Sequence, residues 1–577
     1  MRAVILLLMA TGSFAQDALL PPVAPFTGKS RALALAPDHE WATPFERSQL
    51  QRTPRYDETV AWLARLCKAS PQLEMVEIGV SDEGRKIWMV VAGDVRNKPT
   101  LLAQGGIHPG EIDGKDAGMM LLRDMTVLKT KAHLLEHAAL LFIPVIGVDG
   151  HEIFGPFNRV NQRGPLEMGW RTNGRNLNLN RDYAKLDTPG IRAAASVINK
   201  YRPALYFDIH VTDGSDYQYD ITWGYSGAHA YSPAIATWMR DVLDPHLATG
   251  LRAQGHVPGP LVFSGDPAKG NSEYTFGCRF SNGWGDIRHL PTVLVENHSL
   301  KPFDQRVLGT YVLMESTLEL LGKRGAELIE ATATDRKARR DPLPLTWDEG
   351  TVRKVEFLGI ERKTAPSAVS GGEKVIWTGV PWKREIDLAV HDKPGILVER
   401  PKRYWIPDAW AGVIVPLLKA HGIVVDTGEP REVAVSVYRV ETYELGKAPF
   451  EGRLRVDKAT FKQLRSTLQA RHSVAADQPL GDLAMVLLEP ESPDSLFRWG
   501  FFNSIFQRTE YIDNYVIEPL AEKMLAADPA LKKAFEKRLA EDEAFAKDPR
   551  ARRMWFYERT EYFDKRWRVI PIGRENR

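Results

Sequence analysis

His108-Pro109-Gly110-Glu111 follows one apolar run, His210 ends a second at Phe207-Asp208-Ile209, and Glu296 ends a third at Val293-Leu294-Val295. Two imidazoles and a carboxylate are a donor set for zinc, and a further carboxylate can act as general base beside it. Zinc in such a site brings the pKa of bound water to about 7, which makes a nucleophile at neutral pH. His108, Glu111 and His210 are therefore the candidate ligands of one Zn2+ per chain, and Glu296 is the candidate base. Each histidine taken alone reads best as a satisfied core residue, so the case rests on the set.

A rival pattern lies at His133-Leu134-Leu135-Glu136-His137. Two imidazoles and a glutamate on one helical turn can also hold zinc, but that arrangement needs a sustained helix. Ala138 onward runs at once into a buried strand, so the blander reading wins there. The His108 loop carries Gly105, Gly106 and Gly110, which permit close backbone approach to an ion or substrate. Asp208 and Asp113 stand near enough in sequence to accept a proton from a ligating imidazole. Between the ligand segments, Arg171 to Tyr183 is crowded with Asn and Arg. Such a stretch makes a poor core and a poor helix, and suits recognition of a carboxylate by guanidinium forks and amide donors.

The elements that must position these groups alternate. Apolar runs at Met75 to Val80, Ile87 to Ala92, Leu101 to Gln104, Ala139 to Val145, Ala204 to Ile209 and Thr292 to Val295 read as strands. Helical spacing runs through Tyr56 to Ala69, Gly114 to Met125, Ile191 to Lys200, Pro233 to Leu247 and Arg306 to Leu321. Continuous apolar strands separated by helices predict a largely parallel sheet covered on both faces. In such sheets functional groups gather beyond the carboxyl ends of the strands, where His108, His210 and Glu296 all fall.

The chain has 577 residues, enough for more than one domain. Lys+Arg 76 against Asp+Glu 74 leaves almost no net charge, which argues against a nucleic-acid partner. The locally basic end, Arg550 to Arg577, reads as a solvated face over a packing row of Trp555, Phe556, Tyr557 and Tyr562. Cys67 and Cys278 are too few for a disulfide scaffold or a cysteine-ligated zinc site. Arg2, the apolar run Ala3 to Ala10 and Ser13-Phe14-Ala15 read as a secretory signal over residues 1–15, implying export to the periplasm or beyond. No later segment is long and apolar enough to span a membrane. Residues 16–45, rich in Pro and Ala, read as a linker, and 46–340 as the catalytic domain. Charge and proline cluster at Asp335 to Pro344, and a C-terminal α+β domain of unknown role is expected over 345–577. There, Val352 to Leu358, Lys374 to Trp377 and Val433 to Tyr438 read as strands, and Trp410 to His421 and the chain from Glu518 onward as helices. Asp528-Pro529 and Asp548-Pro549 read as helix starts.

Residues of about 50–325 resemble the zinc carboxypeptidases, the carboxypeptidase A-like metallopeptidases, in a bacterial secreted branch. Ser81 to Arg85 is similar to that family's turn before the zinc loop, His108 and Glu111 to its His-x-x-Glu, and His210 to its third ligand. Asn180-Arg181 matches its carboxylate clamp, and Glu296 its general base. The resemblance implies an α/β fold with a mixed, largely parallel eight-stranded sheet covered by helices. It also implies a role for Arg171 in polarising the scissile carbonyl, with Arg175 as the alternative. Arg85 would assist the clamp, and Tyr274 would be the mobile substrate-binding tyrosine, with Tyr217 and Tyr219 competing. Asn178 stands where many members have an Asp, so Asp208 or Asp113 is expected to support a ligand instead. The specificity pocket is expected near Ser281 to Asp286.

These readings converge on a secreted zinc metallocarboxypeptidase acting on peptides with a free C-terminal carboxylate. The runner-up is a zinc amidase for cell-wall peptides or acylated amino acids. A binding protein that keeps the fold without turnover is the third reading, which loss of Glu296 or a ligand would mark; neither is lost.

Overall fold

Three apolar runs lie at the centre of the fold. Thr100–Gln104, Ala139–Ile143 and Leu205–Val211 are strands in which every residue is buried, as strands covered on both faces require. The computed structural model describes residues 19–576; the segment read as an export signal, residues 1–15, lies outside them. In chain order the strands before residue 300 are β1 (Leu73–Val80), β2 (Lys86–Ala92), β3 (Thr100–Gln104), β4 (Ala139–Ile143), β5 (Leu205–Val211), β6 (Ile221–Gly224), β7 (Pro258–Pro260), β8 (Asn271–Glu273) and β9 (Thr292–Asn297).

All of these except β8 form one eight-stranded sheet, ordered β1-β2-β4-β3-β5-β9-β6-β7. Its centre, β4-β3-β5-β9, is parallel throughout, and β6/β7 is parallel too. The pairs β1/β2, β2/β4 and β6/β9 are antiparallel, so the sheet is mixed around a parallel core. Parallel pairing brings the carboxyl ends of β3, β5 and β9 to one edge. The β5/β9 register sets His210 directly opposite Glu296.

Helices cover this sheet. Asp113–Thr126 is buried along its whole length, and packs against the helix Phe303–Lys337. The latter runs well past Leu321, where the apolar pattern predicted its end. Beyond that point only Gly325, Leu328 and Asp335 are buried, too sparse a stripe to read as helical periodicity. Asp335 has a task there: its carboxylate accepts from the N–H groups of Ala234 and Ile235 at the start of the helix Pro233–Trp238. The helix Pro189–Tyr201 begins as its sequence dictates. Thr188 accepts from Ile191 N, and Pro189 takes the first turn, where its missing N–H costs nothing.

The described part of the stretch expected to be a linker, residues 19–45, makes packed contacts. Phe26 stacks on His256 with ring centroids 4.8 Å apart, and Thr43 and Glu46 form a reciprocal cap on the short helix Pro44–Arg47. Glu46 also takes the buried Arg123 guanidinium at 2.5 Å. Proline and alanine here shape a fixed path over the sheet domain rather than a free tether.

The C-terminal region is rich in β-structure. A hairpin of Val352–Pro366 and Glu373–Val390 adds to β8, and Arg403–Pro407, Asp426–Leu445, Val456–Ala475 and Gly573–Glu575 close a small barrel. Its long strands carry mostly exposed polar residues along much of their length, which is why their apolar pattern predicted only short pieces. Asp528 and Asp548 cap the helices Pro529–Glu541 and Pro549–Tyr557. Trp555, Phe556 and Tyr557 are buried, whereas Tyr562 is exposed rather than part of the packing row. Cys67 and Cys278 are both free thiols. Among the described residues no helix is long and apolar enough to cross a membrane.

One apolar core runs through both regions, joining Ile191, Ile198 and Trp284 to Ile414, Leu418 and Leu487. His421 sits inside it. Trp284 Nε1 donates to His421 Nδ1 at 3.0 Å, and His421 Nε2 donates to Ala184 O at 3.2 Å. This leaves no place for a second ring proton. Burial, with Arg288 adding to it, pushes the imidazole down to about 3. A histidine whose folded pKa lies below its unfolded value stabilises fully above about pH 6.5 and progressively less as pH falls toward the folded value. The cost is about 1.4 kcal/mol per pH unit, or about 2 kcal/mol at pH 5. Thermal unfolding followed between pH 7 and pH 5 is expected to show this decline, and His421→Gln, which keeps both hydrogen bonds without titrating, to flatten it.

Candidate metal centre and active site

The loop after β3 delivers His108 and Glu111. Gly110 is obligatory there, because a Cβ at this position would lie 2.6 Å from Gly169 O and 2.7 Å from the Arg159 side chain. β5 delivers His210, and β9 delivers Glu296. His108, Glu111 and His210 are all buried, and one ligand atom from each lies within 4.8 Å of the others. The group spans 102 positions from His108 to His210, yet only the strand order is needed to close it.

The imidazoles are oriented alike. His108 Nε2 faces Asn178 Oδ1 at 3.0 Å, and His210 Nε2 faces Asp208 Oδ2 at 2.9 Å. Both acceptors call for a proton on Nε2, which leaves the Nδ1 lone pairs turned inward. There they meet Glu111: His108 Nδ1 is 3.0 Å from both carboxylate oxygens, and His210 Nδ1 is 2.9 Å from Oε2. Lone pairs on three acceptors this close repel unless a cation lies among them. Glu296 Oε2 is buried nearby with no hydrogen-bond partner among the described residues. Inward lone pairs, a shared carboxylate and an orphaned oxygen fit zinc, whose ligands are neutral imidazole and ionised carboxylate.

Without an ion, the electrostatics of the four groups differ: Glu111 and His108 favour the ligating forms, whereas His210 favours the proton that an ion would displace. Burial works against the Glu111 charge, but His108 and Arg159 outweigh it and hold its carboxyl well below the usual range. Burial likewise opposes a charged His210, and Asp208 and Glu111 overcome it and raise that imidazole. His108, with only the neutral Asn178 amide behind it, is lowered, by burial first. Burial pushes Glu296 up to about 8; the carboxylates of Glu111, Asp213 and Asp208 add to the rise and His210 opposes it.

Residues 59–229 match the zinc carboxypeptidase family model. The chain carries a zinc carboxypeptidase domain. The matched range holds His108, Glu111, Arg171, Asn180, Arg181 and His210, and ends before Glu296. Solved structures that align with part of the chain include a metallo-carboxypeptidase from Burkholderia cenocepacia, at 13% identity over 46% of this chain and 69% of that one, with a TM-score of 0.35. A metallo-carboxypeptidase from Pseudomonas aeruginosa in complex with (2-guanidinoethylmercapto)succinic acid aligns at 19% identity, over 48% and 70%, with a TM-score of 0.37. Carboxypeptidase A from Helicoverpa armigera aligns at 18% identity, over 48% and 74%, with a TM-score of 0.36. No curated protein matches the chain.

The remaining candidates of this zinc carboxypeptidase domain divide. Arg171 Nη1 comes within 3.6 Å of Glu111 Oε1, and its side chain is partly open to solvent. Asn180 Nδ2 lies 3.3 Å from His210 Nε2, and Asn180 Oδ1 accepts from Ser281 N. Arg181, on the same short turn, stacks 4.5 Å over the Phe280 ring. Arg175 instead pairs with Asp82 at 3.0 Å.

Two expectations are corrected. Arg85 is not brought to the cluster; it pairs with Asp149 at 2.8 Å, because Ser81 to Arg85 folds as a turn around that carboxylate. Tyr274 packs at a tilt on His391 and edge-on to Phe263, with centroids 4.4 and 5.4 Å away, since β8 leaves the sheet for the C-terminal hairpin. Burial raises the Tyr217 phenol first, and the Glu296 charge adds to the rise. Of the two carboxylates expected to stand behind a ligand, Asp208 does so, whereas Arg306 holds Asp113 at 2.9 Å; Asp286 is buried against Tyr231 and Ser232, the place of a structural residue. Arg159, at 2.6 Å from Glu111 Oε1, escaped notice: nothing in its loop sets it apart from Arg163. At the rival site His133 is exposed, and 3.8 Å from Glu319.

Equilibrium dialysis against Zn2+ is expected to find about one ion per chain. His108→Ala and His210→Ala should each abolish stoichiometric binding, and His133→Ala should leave it unchanged. Binding that survives in H108A and H210A but disappears in H133A would reverse the assignment.

Proposed function

We propose that this protein is an exported, zinc-dependent metallocarboxypeptidase that removes C-terminal residues from peptides. The observation that carries the reading is the buried His108–Glu111–His210 group, its two Nδ1 atoms turned inward beside the unpartnered oxygen of Glu296. Export rests on the charged, apolar and small-residue pattern of residues 1–15.

His108, Glu111 and His210 would hold the ion. Bound zinc supplies Lewis acidity toward the scissile carbonyl and acidifies water at neutral pH. Glu296 accepts a proton from the attacking water and returns it to the leaving amine nitrogen. Burial and nearby carboxylates raise the Glu296 carboxyl, which favours its holding the proton that it later returns to the amine. Arg171 donates to the carbonyl oxygen as negative charge grows on it, an interaction worth most in the transition state. Asn180 and Arg181 bind the terminal carboxylate, which selects exopeptidase over internal cleavage. Phe280 beneath the Arg181 guanidinium fixes the plane of that fork.

Two measurements test this reading. A peptide library varied at the C-terminus is expected to be cleaved one residue at a time, to lose turnover with a chelator and to regain it with Zn2+. Glu296→Gln is expected to lower kcat by about 100- to 10,000-fold while keeping its zinc. Undiminished turnover in E296Q would remove the mechanism, and turnover confined to muropeptide fragments or acylated amino acids would favour the amidase. Separately, Arg181→Met is expected to raise KM about 10- to 100-fold for peptides with a free carboxylate, the worth of a charged hydrogen bond. C-terminally amidated peptides should be poor substrates for the parent and little changed by the substitution.

A further inference from the structure

The candidate site has a supporting contact that the family match does not reach. It comes from residues 446–455, the connection between the barrel strands Asp426–Leu445 and Val456–Ala475. Glu451 Oε2 accepts from the backbone N–H of Asn178 at 2.7 Å. Asn178 Oδ1 in turn accepts from His108 Nε2 at 3.0 Å and from Asn180 N at 3.0 Å. A single residue thus holds both a candidate zinc ligand and the turn that carries Asn180 and Arg181. The Glu451 charge also favours the protonated form of Arg181, against the burial that lowers it.

The connection is built to stay in place. Arg453 forks onto Asp187 at 2.7 and 2.6 Å, and its guanidinium lies 3.7 Å over the Phe501 ring. Glu451 and Gly452 are both left-handed, with φ of 50° and 77°. Glycine adopts that conformation freely, whereas a glutamate does so only where its surroundings over-determine it. A Cβ on Gly452 would come within 3.1 Å of Leu177, so the chain passes close over the segment leading into Asn178.

We propose that Glu451 is a positioning residue of the zinc site: the C-terminal region, through this one carboxylate, fixes Asn178 and through it His108 and the Asn180–Arg181 turn. This rests on the metal-site reading above. A partner one bond behind a metal ligand typically carries 10- to 100-fold in metal affinity, and Glu451 stands one bond further out, at the lower end of that range.

The test uses the full chain, Zn2+ in competition with a chromophoric chelator, thermal unfolding, and steady-state kinetics on a carboxyl-terminal peptide. Glu451→Gly removes the acceptor but relieves the left-handed backbone, so it is expected to unfold cooperatively within a few degrees of the parent. Its zinc affinity should nonetheless fall about tenfold, and KM should rise more than kcat falls. Glu451→Gln keeps a carbonyl acceptor at the same reach and should retain zinc affinity within about threefold. E451G binding zinc as tightly as the parent overturns the proposal. E451Q falling as far as E451G also overturns it, because the hydrogen bond would then not be what positions Asn178. Weak binding accompanied by loss of cooperative unfolding overturns it too, as general structural damage. A parent chain that binds no zinc is a different result: it removes the metal-site reading itself.

Discussion

Two imidazole lone pairs and a carboxylate share one buried space, and almost everything around them serves to keep them there. Asn178 and Asp208 draw the Nε2 protons outward, so the inward Nδ1 atoms have only Glu111 to face. Three acceptors at such distances are stable only with positive charge between them, whether protons or a metal ion. The parallel centre of the sheet resolves how residues so far apart in sequence come to face one another. Strands that run in one direction end at one edge, and the His210–Glu296 register then follows from β5/β9 pairing alone. The guanidinium of Arg159 on Glu111 completes the balance on the outer side.

That dependence explains what could be read from the sequence. His108, His210 and Glu296 each follow a continuous apolar run, so the local signal for a buried strand also located its chemistry. Asn180 and Arg181 stood out because amide and guanidinium side chains crowd a segment that can be neither core nor regular helix. Arg85 and Tyr274 were misplaced for a common reason. Their positions depend on where a turn or a short strand docks, on Asp149 in one case and on the C-terminal hairpin in the other. Neither partner is adjacent in sequence. Arg159 lies in an irregular loop, where no periodicity distinguishes a side chain that turns inward from one that does not.

The C-terminal region is less separable than its change in composition implies. Composition reports what is exposed, and the exposed ribbons of this region are polar. Its buried residues, by contrast, continue the core beneath the sheet, with Ile414 and Leu418 packed among Ile191, Ile198 and Trp284. His421 adds a directional constraint to that apolar contact, because Trp284 and Ala184 together admit only one tautomer and one ring orientation. Apolar burial supplies most of the attraction between the two regions, and such hydrogen bonds decide how they are aligned.

Alignment matters because the two imidazoles are not backed equally. Asp208 places a full negative charge behind His210 and raises its basicity, while Asn178 offers His108 a neutral amide and leaves burial to lower it. A carboxylate behind an imidazole both fixes its tautomer and strengthens it as a donor; an amide does only the first. The charge on the His108 side comes instead from Glu451, one hydrogen bond further back and from a distant part of the chain. An arrangement of this kind makes the geometry of one ligand contingent on the docking of a whole region, whereas the other is secured within its own strand. The sheet alone can therefore present His210 and Glu296, and the barrel connection, lying against Asn178, adds support on the His108 side of the donor set.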